Sequence, residues 1–228
     1  MNPVAVAAKG KGARNAVRRV GAIGAHYGLG PGRMEARLED VLRIVAPFNG
    51  VATLPITAAA VQRHPRVAAR FAELGLEFAV HGYYHADHVG LDAMVQDRQL
   101  AEARQLFESV GLPSAGFRAP YLRWNEGTVH ALLENGYLYD SSQAMHWPVA
   151  EKLQTDAYRR VLEFYSSIAA AEHPVLPRSE QGLVRIPCCL PDDESVVDRL
   201  ALPSAEAIAA LWVDVWRQTH ERGELFTM

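Results

Sequence analysis

The sequence predicts an α/β protein built on a parallel sheet. Short β-rich segments alternate with amphipathic helical segments along almost the whole chain. Residues with chemistry (His81, Arg118 and Asp140) stand at the ends of the third, fourth and fifth β-rich segments. In a β/α barrel such strand ends share one face, where sites are built. The 228 residues, 49% of them hydrophobic, suffice for a sizeable core.

The elements follow in order. Val20 to Ala25 (VGAIGA) reads as a first strand, and His26 to Gly30 as a loop. Arg33 to Ala46 is a helix, with Met34, Leu38, Val41, Leu42 and Val45 at spacings of three and four. Val51 to Thr57 (VATLPIT) is the second strand. Ala58 to Leu74 is a helix interrupted near His64-Pro65 and stopped by Gly75. Glu77 to Val80 is the third strand, and Leu91 to Val110 a long helix closed by Gly111. Ala115 to Tyr121 (AGFRAPY) is the fourth strand. Asn125 caps a helix to Glu134, which Asn135-Gly136 stops. Tyr137 to Ser142 (YLYDSS) is the fifth strand. Glu151 to Ala171 is a helical excursion with no strand before it. Leu183 to Cys189 (LVRIPCC) is the sixth strand, kinked or placed at an edge by Pro187. Ser204 caps the helix Ala205 to Glu221, Gly223 stops it, and Glu224 to Met228 (ELFTM) begins a seventh strand.

Composition narrows the function. A net charge of -3 gives no global reason to expect nucleic acid or an anionic membrane surface as a partner. No apolar run approaches the ~20 residues of a membrane-spanning helix. The first 34 residues hold six Lys or Arg and no acid, without the apolar core of a secretory signal. Residues 1–19 are read as a flexible basic arm and 20–228 as one domain, truncated in its last strand. The two cysteines, Cys188 and Cys189, are adjacent and form no disulfide framework. They fit small buried hydrophobes in a reducing compartment, and the expected location is cytoplasmic.

Several residues can carry chemistry. His81 and His85, four apart in EFAVHGYYHADH, face one side if the chain turns helically after Gly82, and can then share one divalent ion. The same spacing also arises by accident among nine histidines. His88 reads as a solvent-exposed residue or a cap contact. Arg118 is placed to hold a carboxylate, and a backbone N–H beside Tyr121 to face an oxyanion. Equally, Arg118 serves a structural salt bridge and Pro120 simply ends a strand. Asp140 pairs with Arg118, approaches a metal, or forms a turn. Trp147-Pro148 offers an apolar wall for a sugar ring, or Trp147 is a core residue.

The order strand, HGYYH, a helix of about twenty residues, GFRAPY, helix, GYLYDSS resembles the polysaccharide deacetylase family, also called the NodB-homology or carbohydrate esterase 4 family. The resemblance covers roughly Tyr27 to Met228. It implies a distorted, incomplete (β/α)7 TIM-like barrel. It also implies a divalent metal, often zinc, bound by an Asp and two His, and hydrolysis of an N-acetyl or similar amide on a carbohydrate or small amide substrate. His81 and His85 match the metal histidines. Arg118, Pro120 and Tyr121 match the motif whose Arg orients a catalytic Asp and whose Tyr backbone helps bind the oxyanion. Asp140 lies near the fourth motif.

The sequence departs from that family at both ends. The place of its first motif, two acids after a strand, reads AIGAH at Ala22 to His26, and no acid precedes Glu35. Its last motif, a His acting as general acid after the seventh strand, has no counterpart before Met228. The expectation is a metal-dependent deacetylase-like hydrolase with a weakened site or, as the alternative, a carbohydrate-binding member of the same fold without turnover.

Overall fold

The computed structural model describes residues 32–227. The expected first strand, Val20 to Ala25, and His26 lie outside the described residues. The chain divides into two compact units: residues up to Ala52 with Arg70–Glu77, and Thr53–Ala69 with everything from Phe78 onward.

In the first unit, helix α1 (Gly32–Val45) carries the expected amphipathic pattern, yet none of its residues is buried. Arg70 reaches Glu35 at 2.8 Å and Glu39 at 2.6 Å. About half of the Arg70 side chain is exposed, so solvent screens both bridges and they contribute little to stability.

The second unit holds most of the secondary structure. Its strands are β1 (Thr53–Ile56), β2 (Glu77–Val80), β3 (Gly116–Phe117), β4 (Tyr139–Asp140), β5 (Ala144–His146), β6 (Ile168–Ala169), β7 (Arg178–Glu180), β8 (Leu183–Arg185) and β9 (Cys188–Leu190). They form a six-stranded sheet in the order β1-β2-β3-β4-β8-β7 and a three-stranded sheet β6-β5-β9. The β2/β3, β3/β4 and β4/β8 pairs are parallel, as the alternation predicts, and β7 returns antiparallel on β8. The register sets Val80, Phe117, Asp140 and Arg185 in one row. His81, Arg118 and Ser141 therefore leave the sheet side by side, at the carboxyl ends of β2, β3 and β4.

The helices are bounded as their caps dictate. The second predicted helix breaks at His64-Pro65 into α2 (Ala58–Arg63) and α3 (Pro65–Glu73), because proline lacks the N–H that would continue the ladder. Asp92 caps α4 (Ala93–Ser109), and Asn125 forms a capping box with Thr128 on α5 (Glu126–Glu134). Thr155 caps α6 (Asp156–Phe164), and Ser204 opens α7 (Ala205–Arg222), which Gly223 closes at φ 64°.

Three expectations change. The sixth strand splits at Ile186-Pro187, so β8 joins the large sheet and β9 the small one. The excursion is preceded by a strand after all, β5, and contains β6. Glu224 to Thr227 is not a strand; the Thr227 hydroxyl instead accepts from Cys189 N–H and donates to Pro187 O, both at 2.9 Å. A side chain thus takes the place of a ladder.

The small sheet is buried on both faces. Ala144, Cys188 and Leu190 face a cluster with Tyr158, Val161, Tyr165 and Leu211. Met145 and Cys189 face another with Trp147, Val175 and Val215. Alternation of side chains along a strand sends the two adjacent cysteines to opposite sides, and both are buried free thiols, as expected. Burial pushes the Cys188 thiol up to about 11.

Gly116 sits opposite Tyr139 in the ladder, and a Cβ there would lie 2.0 Å from the Tyr139 ring. Gly116→Ala is expected to destabilise the protein by about 1–3 kcal/mol through overpacking. Urea unfolding of Gly116→Ala, Tyr139→Ala and the double variant checks this, with part of the loss recovered in the double variant.

Candidate functional site

The site grows out of the carboxyl end of β2. His81 continues that strand, its N–H donating to Ile56 O at 3.0 Å. The chain then turns at Gly82, whose φ of +75° lies in the left-handed region; a Cβ there would meet Tyr84 O at 2.9 Å. The start of α2 holds the loop from below: Ala58 N–H donates to Gly82 O and Ala59 N–H to Tyr83 O, each at 3.0 Å. These are N–H groups that a helix start leaves without intrahelical partners.

The turn brings His81 and His85 together, with ring centroids 5.0 Å apart and an edge-to-face arrangement. Tyr121 packs edge-on to His85 at 4.5 Å. His81 Nδ1 lies 2.6 Å from Arg118 O. A carbonyl only accepts, so Nδ1 carries the proton and Nε2 keeps its lone pair. Desolvation lowers His81 to about 4, which keeps the ring neutral near pH 7.

A neutral imidazole with its second nitrogen fixed by a carbonyl is the form that binds metal. The two histidines therefore suit two positions of a ligand set. Among the described residues, no group of three His, Cys, Asp or Glu gathers to complete one. Zinc sites use at least three protein ligands, so these residues alone do not fit a complete zinc site.

Arg118 does not clasp a carboxylate. Its Nε donates to Ser141 O at 3.0 Å and its Nη2 to Ser141 Oγ at 2.9 Å, tying the ends of β3 and β4. Asp140 pairs instead with Arg185, its register neighbour on β8, at 2.9 Å. Asp140 also accepts from the Ser142 hydroxyl, which in turn accepts from Ala119 N–H at 2.8 Å. Burial raises the Asp140 carboxyl against the pull of Arg185. The Arg185 guanidinium lies 4.0 Å from the Trp124 ring centroid. Neither Arg185 nor Trp124 stands out in the sequence. The available signal is an Arg inside the otherwise apolar run LVRI, a position that demands a partner.

Pro120 opens a tight turn in which Tyr121 (φ 60°) and Leu122 (φ 53°) are both left-handed. Two such non-glycine residues in succession store strain, a feature that clusters at functional sites. His88 is the clearest correction: it is 0% exposed, not solvent-facing. It packs beside Phe117 at 5.5 Å, and a Cβ on Gly82 would lie 3.2 Å from its Nε2. Trp147 is 1% exposed, within the second cluster of the small sheet, and Arg222 lies 5.0 Å over its ring.

With the geometry in hand, comparison with known proteins defines the class. Residues 26–139 match the sequence model described as polysaccharide deacetylase, and the chain belongs to that family. Peptidoglycan deacetylase-like protein FGM2 of Gibberella zeae is 27% identical over 177 residues, covering 74% of this chain and 49% of its own. The chain thus spans about half the length of this curated relative. A Mycobacterium smegmatis structure assigned as a polysaccharide deacetylase superposes with a TM-score of 0.62 at 26% identity, over 94% of this chain and 68% of that one. A Pseudomonas aeruginosa PAO1 structure with the same assignment gives 0.59 at 20% identity, over 82% and 55%, a likeness of fold. Among the described residues no helix is long and apolar enough to cross a membrane.

The buried histidines couple stability to pH. Burial depresses His88, like His81, to about 4 in the folded state, against about 6.5 unfolded. Below pH 6.5 the unfolded chain therefore takes up protons that the folded chain does not. The stability that His88 contributes is complete above pH 6.5 and is lost as pH falls toward 4. The expected loss is roughly 2–3 kcal/mol for this group. Urea midpoints measured from pH 7 to 4.5 check it, with His88→Phe showing a flatter profile.

Proposed function

We propose that this chain is a deacetylase-like hydrolase acting on the amide C–N bond of an N-acetylated carbohydrate. We further propose a divalent metal, zinc, with His81 and His85 as two of its ligands. The observation that supports this reading best is the state of His81: neutral, Nδ1 committed to the Arg118 carbonyl, Nε2 open, and the second histidine ring 5.0 Å away.

The other residues have positioning roles. Arg118 fixes the end of β4 through Ser141, and its backbone carbonyl fixes the His81 ring. Pro120 shapes the turn that presents Tyr121 against His85, where the phenol ring forms one wall for an acetyl group. Asp140, held by Arg185, braces the strand from which Ser141 and Ser142 project.

A second reading keeps the carbohydrate and drops the turnover. It is favoured by one observation, that the described residues complete no metal ligand set.

The two readings separate in one experiment. The chain is incubated with zinc, its metal content measured, and acetate release followed on N-acetylated oligosaccharides. The hydrolase reading expects bound zinc and acetate release, with a loss of at least about 100-fold in His81→Ala and His85→Ala. Binding of the oligosaccharide with neither zinc nor acetate establishes the second reading instead.

A further inference from the structure

The histidine loop and the turn after Pro120 are joined by more than the meeting of His85 and Tyr121. Arg123 follows the left-handed pair directly, and its N–H closes the turn on Pro120 O at 3.2 Å. Its side chain spans two other segments. Nε donates to Asp87 Oδ2 at 2.9 Å, two residues beyond His85, and Nη1 donates to Phe164 O at 2.8 Å. The guanidinium also lies 4.9 Å from the Phe164 ring centroid.

Both ends of this span are fixed. Asp87 Oδ1 accepts from Val89 N–H at 3.1 Å, capping the short 3-10 turn His88–Gly90. Phe164 is the last residue of α6, where the final carbonyls lack intrahelical partners and a cation is favourably placed. A planar fork that donates in two directions holds both ends at once, which a compact ammonium does less well.

The contacts close into a circuit. Asp87 leads through Arg123 to Phe164. The Phe164 ring packs edge-on to Tyr121 at 6.2 Å, and Tyr121 packs edge-on to His85 at 4.5 Å. The circuit begins and ends in one loop. Left-handed backbone at Tyr121 relaxes unless the surroundings over-determine it, and this circuit supplies that restraint. Fold stability is a lesser part of what it does. The Arg123 and Asp87 side chains are 23% and 39% exposed, and ion pairs open to water contribute little to stability.

We propose that Arg123 is a positioning residue for the site, holding the Tyr121 ring against His85 by bracing the histidine loop on the end of α6. Its value to catalysis rests on the hydrolase reading given above; the brace itself does not.

NMR of the full, metal-free chain tests the proposal, with the ring protons of His85 as reporter, since the Tyr121 ring 4.5 Å away shifts them. His85→Gln assigns the signals, and Tyr121→Leu gives their position when the contact is lost. Arg123→Ala is expected to move them most of the way to that position while the melting temperature falls by no more than about 4 °C. Asp87→Ala acts through the same brace, so the double variant is expected to move them no further than Arg123→Ala alone. Arg123→Lys and Asp87→Asn keep a donor and an acceptor. They are expected to give smaller shifts in the same direction, and they carry the test if Arg123→Ala does not fold. The proposal is overturned if the His85 signals of these variants stay at their parent positions. Acetate release from N-acetylated oligosaccharides is the second arm: kcat/KM is expected to fall roughly 10- to 100-fold in Arg123→Ala and to recover in part in Arg123→Lys. Moved signals with an unchanged kcat/KM overturn the positioning role. A parent chain that releases no acetate removes the hydrolase reading, and the His85 signals still decide the brace; acetate release with unmoved signals removes the brace and keeps the hydrolase.

Discussion

The buried ion pair between Asp140 and Arg185 is the constraint on which the site frame depends. Both side chains are more than nine-tenths buried, so each charge gives up most of its hydration on folding. Neighbours on both sides support the pair. Ser142 donates to Asp140, and the Trp124 ring covers the guanidinium. Removing one partner of such a pair leaves an uncompensated charge, at a cost of about 3–5 kcal/mol. The pair fixes β8 against β4 in a single register. Through Ser142 and Ser141 that register reaches Ala119 and Arg118, and through the Arg118 carbonyl it reaches His81.

The histidine loop sits at the end of this chain of contacts, and each of its groups is conditioned by a neighbour. The Arg118 carbonyl selects the His81 tautomer, Gly82 permits the turn, and the start of α2 fixes two loop carbonyls. Below them, Gln96 donates to Leu91 O at 3.1 Å and accepts from the Thr128 hydroxyl at 2.6 Å, joining the far end of the loop to the cap of α5. The loop is thereby held from the sheet, from one helix start and from a buried polar network at once.

Much of this was legible in the sequence, and the parts that were not share a physical cause. His81, Arg118 and Asp140 were visible because polar residues follow β-rich runs in the sequence, although the strands that carry Arg118 and Asp140 are only two residues long. Helix limits at Gly75, Asn125 and Gly223 were visible because capping chemistry is local. Strands of two or three residues such as β5, β6 and β9 carry no readable period, so the split at Pro187 and the small sheet escaped notice. The partner of Asp140 escaped for a related reason. Arg118 is the nearer arginine in sequence, but register across the β4/β8 pair, a long-range property, decides the contact. His88 looked exposed because it follows Asp87 in a loop after the strand, whereas its ring turns inward against Phe117. For the first strand and His26 the sequence reading stands alone, outside the described residues.

The turn at Tyr121 and Leu122 has a consequence for how this chain drifts. Left-handed backbone at two adjacent non-glycine positions carries about 1–3 kcal/mol each, which glycine would relieve at either position. Leu122 is anchored by its place in the core. Tyr121 is held by its ring contacts with His85 and Phe164. Selection for thermal robustness and selection for the site therefore act on position 121 in opposite directions. In a lineage that no longer used the histidines, this is a position where glycine would accumulate early.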